Sequence, residues 1–278
     1  MSGIPSLAQT GRGIAALAAL PLVLFAAPGP AAAQGQFDAR YTLSMAGIPV
    51  GKINWKAEIN AASYAAAAAG RATGILSVLI SGEGNVSVKG AFKDGRLQPA
   101  HYISAVTREN ERTAVSMSLD DGKVRELNVE EPPPESDRIP LTDAHRQNIV
   151  DPLSAFLIPG DTDPMTAATC HRALPILDGR RRYDLVLSFR RIDKVKADQG
   201  YAGPALVCAM RFIAIAGHRA SSPLVKYLSE GRDIEVWFVP IAGTRLLAPF
   251  RLSVASLLDN MVLQADQFVS GPLTSGKM

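Results

Sequence analysis

Over much of the chain, apolar and polar residues alternate with a period of two. Ile53, Trp55, Ala57 and Ile59 alternate with Asn54, Lys56, Glu58 and Asn60. Thr113, Val115, Met117 and Leu119 alternate with Ala114, Ser116 and Ser118. Tyr183, Leu185, Leu187 and Phe189 alternate with Arg182, Asp184, Ser188 and Arg190, Val186 being the exception. Ile234, Val236 and Phe238 face away from Glu235 and Trp237. Successive side chains of a strand point to opposite faces, so each run predicts a strand with one dry and one wet face, as in antiparallel sheet. Leu206 to Ile215 is apolar on both parities apart from Arg211, which predicts a central strand covered on both sides with Cys208 inside it.

Turn chemistry separates the runs. Asp94-Gly95 and Asp121-Gly122 supply the positive φ that tight hairpins need. Gly47-Ile48-Pro49-Val50-Gly51 follows a strand at Tyr41 to Met45, and Pro49 lacks the N–H of a central ladder, so a hairpin corner or an edge is expected. Ala61 to Ala69 has helical propensity, but its place among strands and the glycines at 70 and 74 favour a strand. One helix is expected over Asp151 to Ile158, with Asp151 as cap, Pro152 at the first helical position and Pro159-Gly160 as the stop. Glu130 to Ser136 carries three consecutive prolines and reads as a stiff solvated connector, either a long loop or a boundary between two sheets.

The N-terminus follows another rule. Arg12 precedes an uncharged Ala/Leu-rich run from Ile14 to Ala27, and Pro28 to Pro30 break it before Ala31-Ala32-Ala33. A charged start, a short apolar core and small residues at the exit predict a secretory signal over 1–33, cut after Ala33. The run is shorter than the roughly 20 residues a membrane span needs, and Pro21 interrupts it. No Cys lies near the cut, and no later stretch is long and apolar enough to span, so a soluble periplasmic protein is expected. Export removes Arg12 alone among the charges, taking the net charge from +3 to +2, which gives no ground for nucleic-acid binding. Residues 34–278 then form one β-rich domain, with a candidate sub-boundary at 130–138.

Chemistry is sparse. Two cysteines, Cys170 and Cys208, most simply pair in an oxidising compartment, and buried free thiols are the alternative. His101, His145, His171 and His218 form no ligand spacing, so no metal or other cofactor is expected. Nucleophile elbow, Walker and dinucleotide motifs are missing, and Ser154 beside Asp151 reads as capping chemistry rather than as a nucleophile. The densest charge cluster, Asp178-Gly179-Arg180-Arg181-Arg182-Tyr183-Asp184, offers Arg180, Arg181 and Arg182 as candidate contacts for an anion or partner, with Arg180 and Arg182 on one sheet face. A defended strand balanced by Asp178, Asp184 and Asp193 is the plainer reading. The aromatics Tyr41, Trp55, Tyr102, Phe189, Phe212, Trp237 and Phe238 are expected in the core.

Taken in order, the strand ending Gly47-Ile48-Pro49-Val50-Gly51, Leu97-x-Pro99-x-x-Tyr102, Asp151-Pro152-Leu153-Ser154-Ala155, Asp178 to Asp184, Ile234 to Trp237 and Pro249-Phe250-Arg251 form a pattern. It resembles the bacterial domain-of-unknown-function 3108 family, over roughly Phe37 to Phe268, with D-P-L-S-A and D-G-R-R-R-Y as its most specific pieces. That resemblance implies an exported, β-rich envelope protein and carries over no catalytic residue. The expected fold is mainly β, a strongly curved antiparallel sheet or half-open barrel plugged or covered by one short helix. The expected role is non-catalytic: a periplasmic binder or carrier of a lipid-like, apolar ligand, or a factor in envelope maintenance. A structural adaptor that docks an envelope protein through a sheet edge or the arginine rim is the alternative. A hydrolase using Asp151 or Asp178 is a third.

Overall fold

The computed structural model describes Gly3 and residues 34–73, 82–93, 95–108, 111–130, 137–160, 163–231, 233–255 and 260–273. The expected signal segment, with its cut after Ala33, and the prolines of the connector lie outside the described residues.

The first seven strands are β1 (Gly35–Met45), β2 (Ile48–Ile59), β3 (Ser63–Ala72), β4 (Glu83–Lys93), β5 (Arg96–Arg108), β6 (Glu111–Asp120) and β7 (Lys123–Val129). They form an antiparallel meander, each paired with the next. Its hairpins use the expected turns: Ala46 and Gly47 both have positive φ, as do Asp121 and Gly122. The alanine run is a strand, as its context predicts. Its period-two burial sends Tyr64 and Ala66 inward and leaves Ala67 and Ala69 exposed.

The second half contains α1 (Pro152–Ala155), β8 (Ile158–Pro159), α2 (Ala167–Cys170), β9 (Arg172–Leu177), β10 (Arg182–Lys196), β11 (Gln199–Gly200) and β12 (Ala202–Ala216). It continues with α3 (Pro223–Ser229), β13 (Ile234–Pro240), β14 (Leu246–Val254) and β15 (Met261–Gly271). All these strands join one sheet in the order β7-β6-β5-β4-β3-β2-β1-β15-β14-β13-β12-β10-β9, with β8 on β14 and β11 on β15. The Pro-rich connector therefore joins two halves of one sheet, not two sheets.

The sheet curls without closing, and its edges are β7 and β9. The segment between them straps the seam. Val150 pairs with Ile176 on β9, the Ile149 N–H donates to the Gly122 carbonyl beyond β6, and Arg138 bridges to Arg219. The β9–β10 turn presses on β6, where a Cβ on Gly179 would lie 2.3 Å from Val115 Cγ1.

Two apolar cores result. The inner one fills the curl with Phe37, Tyr41, Trp55, Met117, Phe250 and Phe268, and Phe37 stacks on Phe268 with ring centres 5.5 Å apart. The outer one lies behind β9, β10 and β12–β14, with Ile176, Leu206, Cys208, Val236 and Phe238. In β12 the alternation sends Ala205 and Val207 inward and Leu206 and Cys208 outward; Arg211 is exposed and Phe212 to Ile215 are half-buried, so the expected two-sided cover of Leu206 to Ile215 holds only at its start. Complete burial of each large apolar side chain contributes about 1.5–3 kcal/mol. The Cys170–Cys208 disulfide is formed, with Cα atoms 5.6 Å apart, and ties α2 to β12 within the outer core.

Four expectations need correction. The expected single helix ends at Ala155, because Ile158 and Pro159 pair with Leu247 and Leu246 of β14. Further short helices occur: α2, α3 and a 3-10 turn at Asp143–Arg146. Phe189 is 37% exposed: it pairs with Cys208 just before a bulge, in a stretch of β10, Ser188 to Ile192, that is exposed at every position. Trp237 does not sit on a wet face: both faces of β13 are covered, and it joins the inner core.

Candidate functional site

Three places concentrate polar side chains. The first is the plug. Asp151, fully buried, accepts hydrogen bonds from the N–H groups of Leu153 and Ser154 at 2.9 and 3.0 Å, the capping role its sequence predicts. The Ser154 hydroxyl lies 2.6 Å from the Tyr64 hydroxyl of β3, so α1 is pinned to the barrel wall. Burial pushes the Asp151 carboxyl above the usual range, while the Ser154 hydroxyl and the N–H groups of Ser154 and Leu153 pull it back. Burial, then the nearby Asp151, pushes the Tyr64 phenol well up. Leu153 and Leu157 reach the inner core while Ala155 and Ile158 reach the outer one. The helix thus wedges between the two cores, and the cluster Asp151–Ser154–Tyr64 is enclosed, with Ser154 only 3% exposed.

The second place is the arginine cluster. Arg180 lies in the turn before β10, not in a strand, so it does not share a strand face with Arg182. Asp178 organises that turn by accepting from the N–H groups of Arg180 and Arg181 at 2.8 and 2.6 Å. Arg181 stands 3.9 Å from Asp178. Arg182 donates to Asp184 at 2.5 Å and to the Tyr183 carbonyl, and its side chain is largely buried. The three therefore do not form one rim. Arg180 alone turns to a groove at the seam, where it meets Arg138 and Arg146.

The third place was not foreseen: a cleft of about 1120 Å³ on the face of β1–β5 that points away from the inner core. Register builds it. Ala69 of β3 stands between Asn54 of β2 and Asn85 of β4, and Asn85 faces Ala105 of β5. Alanines there leave a trough between longer neighbours. One rank along, Lys52, Arg71, Glu83, Thr107 and Arg112 follow one another across the strands. Asp198 and Gln199 at the tip of the β10–β12 hairpin, with Asp266 and Gln267 of β15, close one end. Lys52 pairs with Asp266 at 3.0 Å and Lys56 with Asp38 at 2.8 Å, and Asp266 also accepts from the Thr42 hydroxyl. Such exposed pairs are worth under about 1 kcal/mol each, so an incoming polar group can displace them cheaply. The only advance signal was a run of alanines placed on both parities of a strand.

Among the described residues, no group of three or more His, Cys, Asp or Glu gathers as a metal site, and no helix is long and apolar enough to cross a membrane. A search of curated proteins finds no match. Among solved structures, the β-barrel-like DUF1849 protein of Brucella abortus is 10% identical, with a TM-score of 0.47, over 86% of this chain and 98% of that one. A hypothetical protein of Chlamydia trachomatis is 13% identical, with a TM-score of 0.27, over 86% of this chain and 91% of that one. Residues 37–261 match the family described as protein of unknown function (DUF3108), and the chain belongs to that family.

Proposed function

We propose that this chain is a non-catalytic, periplasmic protein of the cell envelope that docks an extended polar partner along the trough of β1–β5. The supporting observation is a contrast between two spaces. The interior of the curl is occupied by its own aromatic core and by α1, whereas the outward face carries a cleft of about 1120 Å³. Carriage of a lipid-like ligand inside the barrel would require that core to open. The trough offers cations (Arg40, Lys52, Arg71), acids (Asp38, Glu83, Asp266) and amides (Asn54, Asn85, Gln199, Gln267) beside small residues. That mixture suits a partner with both donors and acceptors along its length. A hydrolase built on Asp151 or Asp178 finds less support, since one carboxylate caps an enclosed helix and the other holds a turn.

A photo-crosslinking residue placed at Ala69 or Ala105 in the expressing cell tests the reading, with Leu224 on the exposed face of α3 as control. A discrete adduct at both trough positions, lost when Asn85 between them is replaced by Trp, is expected. The same adducts at Leu224, or none at the trough, would refute it. Solvent extraction of the purified protein supplies a second arm, and a stoichiometric lipid would return the interior-carrier reading to first place.

A further inference from the structure

We infer that the partner taken by the trough is a linear glycan whose sugars carry acetamido groups, an inference that rests on the trough being a docking site. Register lays one row of side chains along its floor. Gln267 of β15, Arg40 of β1, Asn54 of β2, Ala69 of β3, Asn85 of β4 and Ala105 of β5 stand opposite one another in turn. Gln199 of β11 extends the row beyond Gln267. Neighbouring strands lie about 4.8 Å apart, so the row from β15 to β5 reaches across about 24 Å. Arg40, Asn54, Ala69 and Asn85 are exposed along it.

The backbone beneath the row is already used. Each strand from β15 through β1 to β5 is paired on both sides, so a peptide cannot add itself as a further strand, and recognition falls to side chains. Among the described lining residues the one aromatic is Tyr41, which is buried and donates its hydroxyl to the Pro249 carbonyl at 2.7 Å. That leaves no platform for a polyproline segment or for stacked bases. Five cations stand against four acids in the lining, and the pairs Lys52–Asp266 and Lys56–Asp38 flank the row. A near-balanced surface of this kind does not draw in a polyanion.

The row supplies hydrogen bonding at regular intervals across the strands. A side-chain amide both donates and accepts, and the Arg40 guanidinium adds donors in a planar fork. Sugar hydroxyls, which also donate and accept, are satisfied by either. Ala69 stands between Asn54 and Asn85, so its methyl is bordered by an amide on each side. That arrangement complements an acetamido group, with its own methyl, N–H and carbonyl. Without an aromatic to carry a ring face, each sugar is held by its edge.

Calorimetric titration of the intact protein with the linear hexamer of N-acetylglucosamine tests this. The dimer probes length, the glucose hexamer supplies hydroxyls without acetamido groups, and an extended peptide of alternating Lys and Glu represents the other class of polar chain. Saturable binding of the acetamido hexamer is expected, little changed by salt and about tenfold or more weaker for the dimer and the glucose hexamer. N54A/N85A should weaken it by about tenfold or more, with N54A alone as a milder variant should the double fail to fold. Binding of the peptide in place of the glycan, equal binding of the glucose hexamer, unchanged binding in N54A/N85A, or no binding of the acetamido hexamer would each overturn the assignment. Crosslinking at Ala69 and Ala105 keeps the two readings separable: adducts without glycan binding remove this partner class and leave the trough a docking site, whereas their absence removes the trough itself.

Discussion

Replacing Asp151 by alanine isolates the plug. The side chain is fully buried and accepts from two N–H groups that open α1, so its loss strands two enclosed donors. Each unsatisfied buried group costs about 1–3 kcal/mol, and loss of a helix cap alone costs about 0.5–2 kcal/mol. Part of this is recovered, because the carboxylate no longer has to be desolvated. A net loss of about 3 kcal/mol follows, which lowers Tm by about 6–12 °C for a chain of this size. D151N retains an acceptor oxygen and should stay within about 1 kcal/mol of wild type near neutral pH. The two variants also separate by pH. The folded carboxyl has a raised pKa, so the folded state holds the proton more tightly than the unfolded chain. Wild-type stability from this group is therefore greatest below the unfolded value of about 3.9 and declines as pH rises toward the folded pKa. D151N lacks that decline, so wild type should gain on it as pH falls to about 4. Urea melts of the three proteins at pH 4 and pH 7 supply the measurement. A D151A protein within about 0.5 kcal/mol of wild type, or a D151N protein as unstable as D151A, would refute the capping account.

The Tyr64–Ser154 hydroxyl pair is buried and 2.6 Å apart, so a double-mutant cycle of Y64F and S154A should show a coupling of about 1 kcal/mol; additive losses would place the pinning elsewhere. Replacing both Cys170 and Cys208 by alanine releases a link across 38 residues and should cost about 4 kcal/mol in denaturant melts, less where the unfolded chain keeps structure; unchanged stability would show that the outer core holds without it. G179A combines positive φ with a Cβ 2.3 Å from Val115 Cγ1 and should lose about 2–4 kcal/mol by thermal melting. Adding V115A should restore the steric part of that loss and leave the backbone part; no rescue would argue against contact between the turn and β6.

The strands were legible because alternation survives wherever one face is wet, and even the alanine run followed it once its neighbours were considered. Bulges were not legible. The one in β10, between Phe189 and Arg191, needs the partner strand to be seen. The two-sided cover of β13 was also hidden, because α2, β8 and β9 come from distant sequence to build the outer core. The third helix carried a readable start, Ser222 capping Val225 with Pro223 behind it, but lay among stronger strand signals. Of the sites, the Asp151 cap was local and therefore readable. The trough depends on the register of five strands, and the groove gathers Arg138, Arg146 and Arg180 from segments that meet only when the sheet curls. Neither follows from spacing along the chain.

The strand order has a further consequence. The first and last strands pair with each other, Gln36 opposite Gly271, while the two end strands of the sheet, β7 and β9, flank the middle of the sequence. Read as a ring, residues 35–271 keep their neighbours if the ends are spliced and a new opening is cut in the connector. A circular permutant starting near residue 137 and ending near residue 130 should therefore fold. It would also gain the order of assembly that the natural chain lacks: the wall could zip outward from β9 to β7 without its first strand waiting for its last.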